Sequence, residues 1–554
     1  MTAKALRAMG LGKLIACVLV MWLLVVLMIS GPLFHSSEPD EQVLARLTRA
    51  VGELESLKQQ NEELRSLLNA IKEPSKKEEP SSARQQQHAG CEPSEEYEVR
   101  RRRVANGVQE LWFYARAQLK KLLPNLKKED QANLQRIIDD LAVHRRTIQL
   151  DLEEMRRADG YDSWRQTESQ ALTELVRSRL SKLQHPADCS KAPKLVCSLN
   201  KGCGYGCQVH HATYCLITAY ATQRTLVLHS KGWRYSSAGW ETVFQPVSNS
   251  CTQVGNQRGV PWSANIAGAP VVELPIIDNV QPRPAFLPLA VPAELASRLT
   301  RLHGQPGLWW VSQVLGFLLR PQPSLQRYLD QAAHDMGFRG PVVGVHVRRT
   351  DKVGTEADFH SLEEYMEYVQ DFFERLALKG GPPPTRRVYL ATDDPKLLSE
   401  AKTKYPDYHF YGDSRIANTA SLGQRYSSES LRGVLLDIHM LSRCDYLVCT
   451  FSSQVCRLAY EMMQLSHVDA ADRFRSLDDI YYFGGQKPHN QVAIYNHTAR
   501  SANEIDMRVG DTLGIAGNHW DGFSKGVNRR TGHSGLYPAF KAVEKVDVVP
   551  FPVQ

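Results

Sequence analysis

Residues 342–351 read VVGVHVRRTD, and this stretch indicates the fold more directly than any other part of the chain. The valine-rich segment predicts a strand buried on both faces of a parallel sheet. It ends abruptly in polar residues, because His346, Arg348, Arg349 and Asp351 follow one another closely. Ligands of open α/β sheets bind at this carboxyl end, and guanidinium groups match phosphate oxygens. An isolated Arg-Arg pair is more often a surface feature, so the rest of the chain must decide.

Length and composition set broad limits. The 554 residues are enough for about two to four domains. Hydrophobic residues make up 42% of the chain, so a sizeable core can form. The net charge of +7, from 67 basic and 60 acidic residues, is too small to indicate a nucleic-acid partner.

An apolar run near the N-terminus predicts the compartment. Residues 14–29 are continuously apolar, residues up to 34 extend the run weakly, and basic residues precede it while acidic residues follow. The pattern predicts a cytosolic tail (1–13), a transmembrane signal anchor (14–34) and a lumenal remainder. A cleaved signal peptide is the alternative, but no clear small-residue cleavage site follows.

A stem and a helical region follow the anchor. Residues 35–94 predict a coiled-coil stem and linker, since leucines repeat in heptads with Asn61 at one a position. A single amphipathic helix lying on the protein is the alternative. Residues 95–186 carry apolar side chains at helical spacing, with Ser163 as a possible cap, and predict a helical dimerisation region.

The 11 cysteines fit an oxidising lumen, where disulfides persist. Cys203 and Cys207 could suggest zinc, but no second pair or His–His spacing completes a site. Disulfides are therefore the better explanation.

From residue 189 onward, short strands alternate with helices, which predicts an α/β domain. The glycine-rich turn 202–207 (GCGYGC) follows one strand and would let backbone amides approach a phosphate. Residues 388–392 end in Asp393 and Asp394, and residues 446–450 end in Phe451, Ser452 and Ser453. A helix over 430–442 carries Asp437. Two Rossmann-like halves with a cleft would suit a nucleotide-sugar transferase, whereas a plain doubly wound domain is the alternative.

Four longer stretches carry a specific resemblance. They are HVRRTDKVGTE (346–356), YLATDD (389–394), SLRGVLLDIHMLSRCDYLVCTFSSQVCR (430–457) and SLDDIYYFGGQ (476–486). Together they closely resemble the α-1,6-fucosyltransferases that place core fucose on N-glycans, over residues 95–546. The short HxRRxD core is shared with α-1,2- and protein O-fucosyltransferases, so only the longer matches single out the core enzymes.

The resemblance implies a GT-B-like catalytic domain (187–490) with a Rossmann-type half, GDP-fucose as donor and an N-glycan acceptor. It also implies inversion at the fucose carbon and no metal or organic cofactor. The anchor and the helical stem predict a single-pass type II Golgi membrane protein that forms a homodimer through the stem. Arg348 would meet charge on the leaving phosphate. Glu356 would be the base for the acceptor hydroxyl and Lys352 would orient it.

The resemblance extends to further residues. Arg349 is expected to anchor the loop or to aid donor binding. His346 and Asp437 would hold guanine or ribose, with Tyr235, Ser453 and Tyr205 around the nucleotide. Acceptor or loop contacts are expected from Asp278, Asp393 and Asp394. The implied disulfide pairs are Cys189–Cys251, Cys197–Cys215, Cys203–Cys207 and Cys449–Cys456, which leave Cys17, Cys91 and Cys444 free.

Two acidic pairs, Asp393–Asp394 and Asp478–Asp479, could instead suggest magnesium on a diphosphate. The nearby arginines and lysine already supply positive charge, so we expect EDTA to leave activity intact.

Residues 491–546 resemble an SH3 barrel of five short strands. His497 stands where a groove tyrosine is expected, and Asn496-His497-Thr498 is a glycosylation sequon beside it. These departures favour a packing or glycoprotein-contact role over peptide binding. Two functional alternatives stay open for the whole chain: a protein O-fucosyltransferase and a non-catalytic lumenal scaffold.

Overall fold

The computed structural model describes residues 92–350, 354, 358–420, 423–484 and 489–552. The predicted tail 1–13, the anchor 14–34 and almost all of the stem and linker 35–94 lie outside these residues, as do Lys352 and Glu356. Within the described ranges, no helix is long and apolar enough to cross a bilayer. Elements are labelled below in chain order over the described residues.

Three long helices begin the described chain: α1 (Glu95–Leu122), α2 (Lys128–Ala158) and α3 (Asp162–Gln184). Ser94 caps α1, because its side-chain oxygen accepts the Tyr97 N–H at 3.1 Å. The prediction that Ser163 caps the third helix is wrong. That helix begins at Asp162, so Tyr161 takes the N-cap position two residues before Ser163, and no side chain caps the helix.

Helices α1 and α2 pack against each other and keep apolar side chains in solvent. Leu111 on α1 is 67% exposed and Met155 on α2 is 66% exposed. Further exposed apolar residues on the two helices are Val104, Tyr114, Leu122, Ile137, Leu141, Val143 and Ile148. An amphipathic helix normally buries such side chains, so these helices retain apolar surface that no described residue covers.

The first parallel sheet contains four strands in the order β2-β1-β4-β3. Strand β1 pairs in parallel with β2, and Lys194 lies opposite Thr225. Helix α4 (Tyr205–Ala221) connects these two strands and is almost entirely buried. The strands are β1 (Lys194–Ser198), β2 (Thr225–His229), β3 (Val260–Pro261) and β4 (Val271–Leu274).

The second parallel sheet contains five strands in the order β10-β9-β6-β7-β8. Strand β6 (Val342–Val347) is central and buried along its whole length, as residues 342–347 predict. Gly344 lies in a tight space on one face, because a Cβ there would lie 3.0 Å from a Leu441 methyl carbon and 3.1 Å from the Cys444 sulfur, so a larger residue would displace one of these side chains. The other strands are β7 (Arg387–Thr392), β8 (His409–Tyr411), β9 (Tyr446–Cys449) and β10 (Phe474–Ser476).

Helices cover both faces of the second sheet. Val343, Val345 and Val347 pack with residues of helix α8 (Leu362–Ala377) on one face of the sheet. Helix α11 (Ser428–Ser442) covers Gly344 on the other face. This arrangement is the doubly wound, Rossmann-type half that the alternating pattern predicts. The remaining helices are α5 (Ala293–Leu302), α6 (Pro306–Leu318), α7 (Pro323–Asp335), α8 (Leu362–Ala377), α9 (Leu397–Lys404), α10 (Ser414–Thr419), α11 (Ser428–Ser442) and α12 (Gln454–Met463).

The two sheets share one hydrophobic core. Leu195 of β1 and Leu447 of β9 belong to the same buried cluster. The N-terminal ends of α4 and α12 meet in this junction. A Cβ on Gly206 would lie 2.9 Å from the Cβ of Gln454 and 3.0 Å from its carbonyl oxygen, so only glycine permits this approach.

The C-terminal module is an antiparallel sheet with strand order β14-β13-β12-β11-β15. Its small core includes Leu513 and Tyr537, both fully buried. The module packs on α1, where Phe113 meets Trp520 edge to face and Tyr114 meets Phe523. The strands are β11 (Asn490–Ala493), β12 (Thr512–Asn518), β13 (Phe523–Asn528), β14 (Ser534–Pro538) and β15 (Ala542–Glu544).

The chain after the module returns to the first half of the catalytic region. Strand β16 (Val548–Val549) pairs in parallel with β5 (Val291–Pro292). Phe551 then packs edge to face on Trp310. The sequence patterns did not predict this pairing of β16 with β5, because a two-residue strand has no detectable periodicity.

Four disulfide bonds are present: Cys189–Cys251, Cys197–Cys215, Cys203–Cys207 and Cys449–Cys456. These are the pairs that the resemblance implies. Among the described residues, Cys444 is a free and buried cysteine. The other two cysteines expected to be free, Cys17 and Cys91, lie outside those residues.

Candidate active site

The carboxyl ends of β6, β7 and β9 are neighbours in one sheet, so the polar residues that follow them share one edge. His346, near the end of β6, is 5% exposed. Burial lowers its pKa to about 4, and the positive charge of Arg348 adds to the shift. The imidazole is therefore neutral at physiological pH. Its Nδ1 atom has no hydrogen-bond partner among the described residues.

Asp393, which follows β7, organises the turn after β6. Its carboxylate accepts the backbone N–H groups of Arg349 at 2.8 Å and Thr350 at 3.0 Å. It also accepts the Thr350 hydroxyl and lies 3.3 Å from the Nε of Arg348. Asp393 is almost fully buried, and through these contacts it fixes the start of the loop after β6.

The two adjacent arginines have different surroundings. Arg348 lies against Asp393, and its side chain is 16% exposed. Arg349 points toward Asp394, with its Nη1 atom 3.3 Å from a carboxylate oxygen, and its guanidinium carbon lies 5.0 Å from the ring centroid of Phe359. A second carboxylate, Glu400, lies 3.7 Å from the same nitrogen. Arg349 is thus surrounded by groups of its own chain.

Asp437 on α11 is buried and accepts the Tyr389 hydroxyl at 2.8 Å. Burial raises the pKa of this carboxyl group to about 7, although the hydrogen bond from Tyr389 opposes the shift. The side chain can therefore change between neutral and charged forms near neutral pH.

Aromatic residues surround the start of α4. Tyr205 is the first residue of this helix and packs edge to face on Tyr235, with ring centroids 5.8 Å apart. The Tyr205 hydroxyl is buried and has no hydrogen-bond partner among the described residues. Burial raises the pKa of Tyr235 to about 12. The ring centroids of Tyr426 and Tyr235 lie 5.2 Å apart, so Tyr205, Tyr235 and Tyr426 form one aromatic cluster at the start of α4.

Ser453 occupies the N-cap position of α12 and is buried. The backbone amides just before this helix are not free to bind a phosphate. Phe451 and Ser452 donate their N–H groups to Asp478 at 2.7 and 3.3 Å, and Ser453 donates to the Thr450 carbonyl. Any free amides at this end belong to the first turn of α12, where helices leave N–H groups without intrahelical partners.

Asp278 lies on the other half of the molecule and forms an ion pair with Lys201 at 2.6 Å. Lys201 directly precedes the glycine-rich turn 202–207. The pair therefore ties that turn to the segment Ile277–Asn279.

A link that the sequence patterns missed joins the C-terminal module to this edge. Trp520 donates its indole N–H to the Asp478 carbonyl at 2.8 Å. The guanidinium of Arg475 lies between the rings of Phe113, Tyr368 and Trp520, at 4.3 to 4.6 Å from their centroids. In the sequence, Asp478 belongs to the Asp478–Asp479 pair and to the stretch 476–486, and neither pattern indicates a contact with the C-terminal module.

The acidic pairs do not assemble a metal site within the described ranges. There, the single group with suitable ligand spacing is Cys197, His211 and Cys215, and its two cysteines are joined by a disulfide. Lys352 and Glu356 lie outside these ranges, so their expected roles stay predictions.

Comparisons with known proteins agree with this architecture. The family described as alpha-(1,6)-fucosyltransferase N- and catalytic domains matches residues 4–482, and a variant SH3 domain family matches residues 493–541. The Drosophila melanogaster alpha-(1,6)-fucosyltransferase is 51% identical over 471 residues, which cover 84% of this chain and 76% of that protein. The Caenorhabditis elegans alpha-(1,6)-fucosyltransferase is 47% identical over 395 residues, 70% of each chain.

Solved structures with lower similarity also match. The fucosyltransferase NodZ from Bradyrhizobium is 14% identical, with 48% of this chain and 92% of that chain covered and a TM-score of 0.30. The SH3 domain of yeast NBP2 is 24% identical and covers 10% of this chain and 97% of its own, with a TM-score of 0.10. Because the family match spans residues 4–482 and the fly relative is 51% identical over 84% of the chain, this chain belongs to the alpha-(1,6)-fucosyltransferase family.

Proposed function

We propose that this chain is a glycoprotein 6-alpha-L-fucosyltransferase. It transfers L-fucose from GDP-fucose, with inversion, to the 6-hydroxyl of the innermost N-acetylglucosamine of N-glycans. The observation that carries the proposal is the 51% identity to an alpha-(1,6)-fucosyltransferase over 84% of the chain.

Arg348 receives the β-phosphate of the donor. As GDP leaves, negative charge accumulates on this phosphate, and a positioned guanidinium stabilises it. The contact with buried Asp393 supports this role, since it holds Arg348 in place before the donor binds. GDP is a good leaving group, so no acid is needed to protonate it.

Glu356 acts as the base that removes the proton of the acceptor hydroxyl, and Lys352 orients Glu356 and the phosphate. Both roles rest on the resemblance of the segment 346–356. General base catalysis of this kind contributes about 10²–10⁴ in rate.

His346 and Asp437 hold the guanine or ribose of the donor, together with Tyr235, Ser453 and Tyr205. Two features support this assignment. The His346 Nδ1 atom and the Tyr205 hydroxyl are buried and without partners among the described residues, and a buried polar group normally has one. A nucleotide would satisfy both atoms.

Arg349 anchors the loop and does not bind the donor. Its contacts with Asp394, Glu400 and Phe359 support this choice between its two expected roles. Asp393 and Asp394 then shape the loop after β6, and Asp278, through its ion pair with Lys201, shapes the glycine-rich turn 202–207. No metal ion and no organic cofactor takes part.

The chain is a single-pass type II Golgi membrane protein that dimerises through its helical region. Family membership supports a Golgi location, and the exposed apolar side chains of α1 and α2 support a helical interface between two copies. The domain division is the predicted one: tail 1–13, anchor 14–34, stem and linker 35–94, helical region 95–186, catalytic domain 187–490 and SH3-like domain 491–546.

A transfer assay tests the function. Purified chain, GDP-fucose and a glycoprotein that carries a biantennary N-glycan ending in N-acetylglucosamine are incubated with and without EDTA, and the linkage of the product is determined. We expect an α-1,6 linkage on the innermost sugar in both arms. Fucose that stays on the protein after peptide:N-glycosidase treatment would indicate a protein O-fucosyltransferase. Absence of transfer would indicate a non-catalytic scaffold, and loss in EDTA would indicate a metal.

A further inference from the structure

The SH3-like module carries the sequon Asn496-His497-Thr498, which is the sole Asn-x-Ser/Thr sequence in the 554 residues. Asn496 and Thr498 are both exposed, whereas His497 between them is buried. The two side chains that an N-glycosylation reaction needs therefore face solvent together.

The contacts of Asn496 leave its reactive atom available. The side-chain oxygen accepts the Val509 N–H at 2.9 Å, and the backbone carbonyl accepts the Lys541 ammonium at 2.9 Å. Among the described residues, no hydrogen bond involves the side-chain nitrogen of Asn496. Both existing bonds use oxygen atoms, so they persist after a sugar is attached to that nitrogen.

Three exposed apolar side chains belong to residues next to Asn496 or to its hydrogen-bond partners. Tyr495 is 49% exposed, Val509 is 62% exposed, and Phe540, next to Lys541, is 49% exposed. The apolar face of a first N-acetylglucosamine on Asn496 would cover part of this surface.

We propose that Asn496 is an N-glycosylation site of this chain. The side-chain nitrogen displaces a lipid diphosphate from the anomeric carbon of a lipid-linked oligosaccharide, forms the N-glycosidic bond and releases one proton. The inference rests on the lumenal topology proposed above. The site also bears on peptide binding by this module. His497 replaces a groove tyrosine, so a glycan on the adjacent Asn496 would occupy the side from which a peptide would approach.

The buried His497 fixes the turn that presents the site. Its Nε2 atom lies 2.9 Å from Glu504, and its backbone pairs with Met507. None of these contacts involves the strand ends that form the candidate active site. Loss of the glycan should therefore leave fucose transfer unchanged.

The test uses the full chain expressed in eukaryotic cells, with four versions compared: wild type, Asn496→Gln, Thr498→Ala and Thr498→Ser. Microsomes that contain the chain are first treated with protease to test whether the chain is protected. The gel mobility of the chain is then measured before and after peptide:N-glycosidase treatment. We expect glycosidase treatment to increase the gel mobility of wild type and Thr498→Ser, and to leave the mobility of Asn496→Gln and Thr498→Ala unchanged. Peptide mass spectrometry should find residue 496 of the treated wild type converted from asparagine to aspartate.

Two results would overturn the inference. A protease-protected wild-type chain that the glycosidase does not shift would refute glycosylation alone and leave the proposed enzyme activity intact. An unshifted chain that protease degrades would refute the lumenal topology as well. A transfer assay on the same preparations separates either result from failure of the proposed function.

Discussion

The indole nitrogen of Trp520 lies 2.8 Å from the carbonyl oxygen of Asp478, and this bond joins the SH3-like module to the catalytic domain. The Asp478 carboxylate in turn accepts the N–H groups of Phe451 and Ser452, which precede Ser453. A continuous series of hydrogen bonds therefore runs from the module to the strand end that is proposed to bind the donor.

Replacement of Trp520 by Phe tests this connection. The variant keeps a ring against Arg475 but loses the N–H donor, so the Asp478 carbonyl loses its partner. We expect the activation free energy of transfer to rise by about 1 kcal/mol, which lowers kcat/KM roughly fivefold. Trp262→Phe is a matched control, because Trp262 also donates its indole N–H to a backbone carbonyl, that of Pro282 at 3.1 Å. Equal activity losses in both variants would mean that the bond at Trp520 has no special role.

The two arginines should behave differently on mutation. Arg348→Ala removes the cation proposed for the leaving phosphate, and we expect turnover to fall by about 10²-fold or more with weaker GDP binding. Arg349→Ala removes contacts with Asp394 and Glu400, so we expect lower thermal stability with GDP affinity nearly retained. Calorimetric titration with GDP measures both affinities. An unchanged GDP affinity for Arg348→Ala would refute its phosphate role.

The proposed base gives a sharper kinetic expectation. Glu356→Gln keeps the size of the side chain but cannot accept the proton of the acceptor hydroxyl. We expect transfer to fall by about 10²–10⁴-fold while GDP still binds. Measurement of kcat together with GDP affinity distinguishes the possibilities. If GDP affinity collapses to the same extent, Glu356 has a structural role and another group is the base.

Asp437 should make stability depend on pH. Its pKa is about 7 in the folded chain, because burial disfavours the charged form, and about 3.9 in an unfolded chain. Between these values the folded state holds one more proton than the unfolded state, so stability falls as pH rises from about 4 to about 7. Asp437→Asn, which stays neutral, should flatten this dependence. Melting temperatures of both proteins between pH 5 and 8, without donor, measure the effect. Parallel curves would contradict the burial argument.

The contact between helices α4 and α12 should tolerate no side chain at Gly206. An alanine Cβ there would meet the backbone of Gln454, which cannot move without shifting α12. We expect a loss of about 1–3 kcal/mol in unfolding free energy. Gly202→Ala in the same turn is the control, since its nearest neighbour is 4.0 Å away. Denaturant unfolding of both variants checks the difference.

Local patterns were sufficient for much of the molecule. The valine-rich run of β6 predicted a buried strand of a parallel sheet, because a continuous apolar segment is typical of one. The polar residues after β6, β7 and β9 predicted a shared site, because the carboxyl ends of parallel strands lie at one edge of a sheet. The N-cap of α3 lies at Tyr161, two residues before the predicted Ser163, because Asp162 and Ser163 both favour a helix start. The contacts of Asp478 were missed because they depend on residues far apart in sequence.

The sequence by itself determined the parallel α/β core, the position of the candidate site at the strand ends, and the family. Each of these follows from local periodicity or from contiguous motifs. Only the tertiary structure decided that Arg349 contacts acidic and aromatic neighbours, that Asp478 takes up the amides before α12, and that Trp520 reaches this loop. These relationships join residues that are distant along the chain, and their geometry depends on how the sheets and the C-terminal module pack.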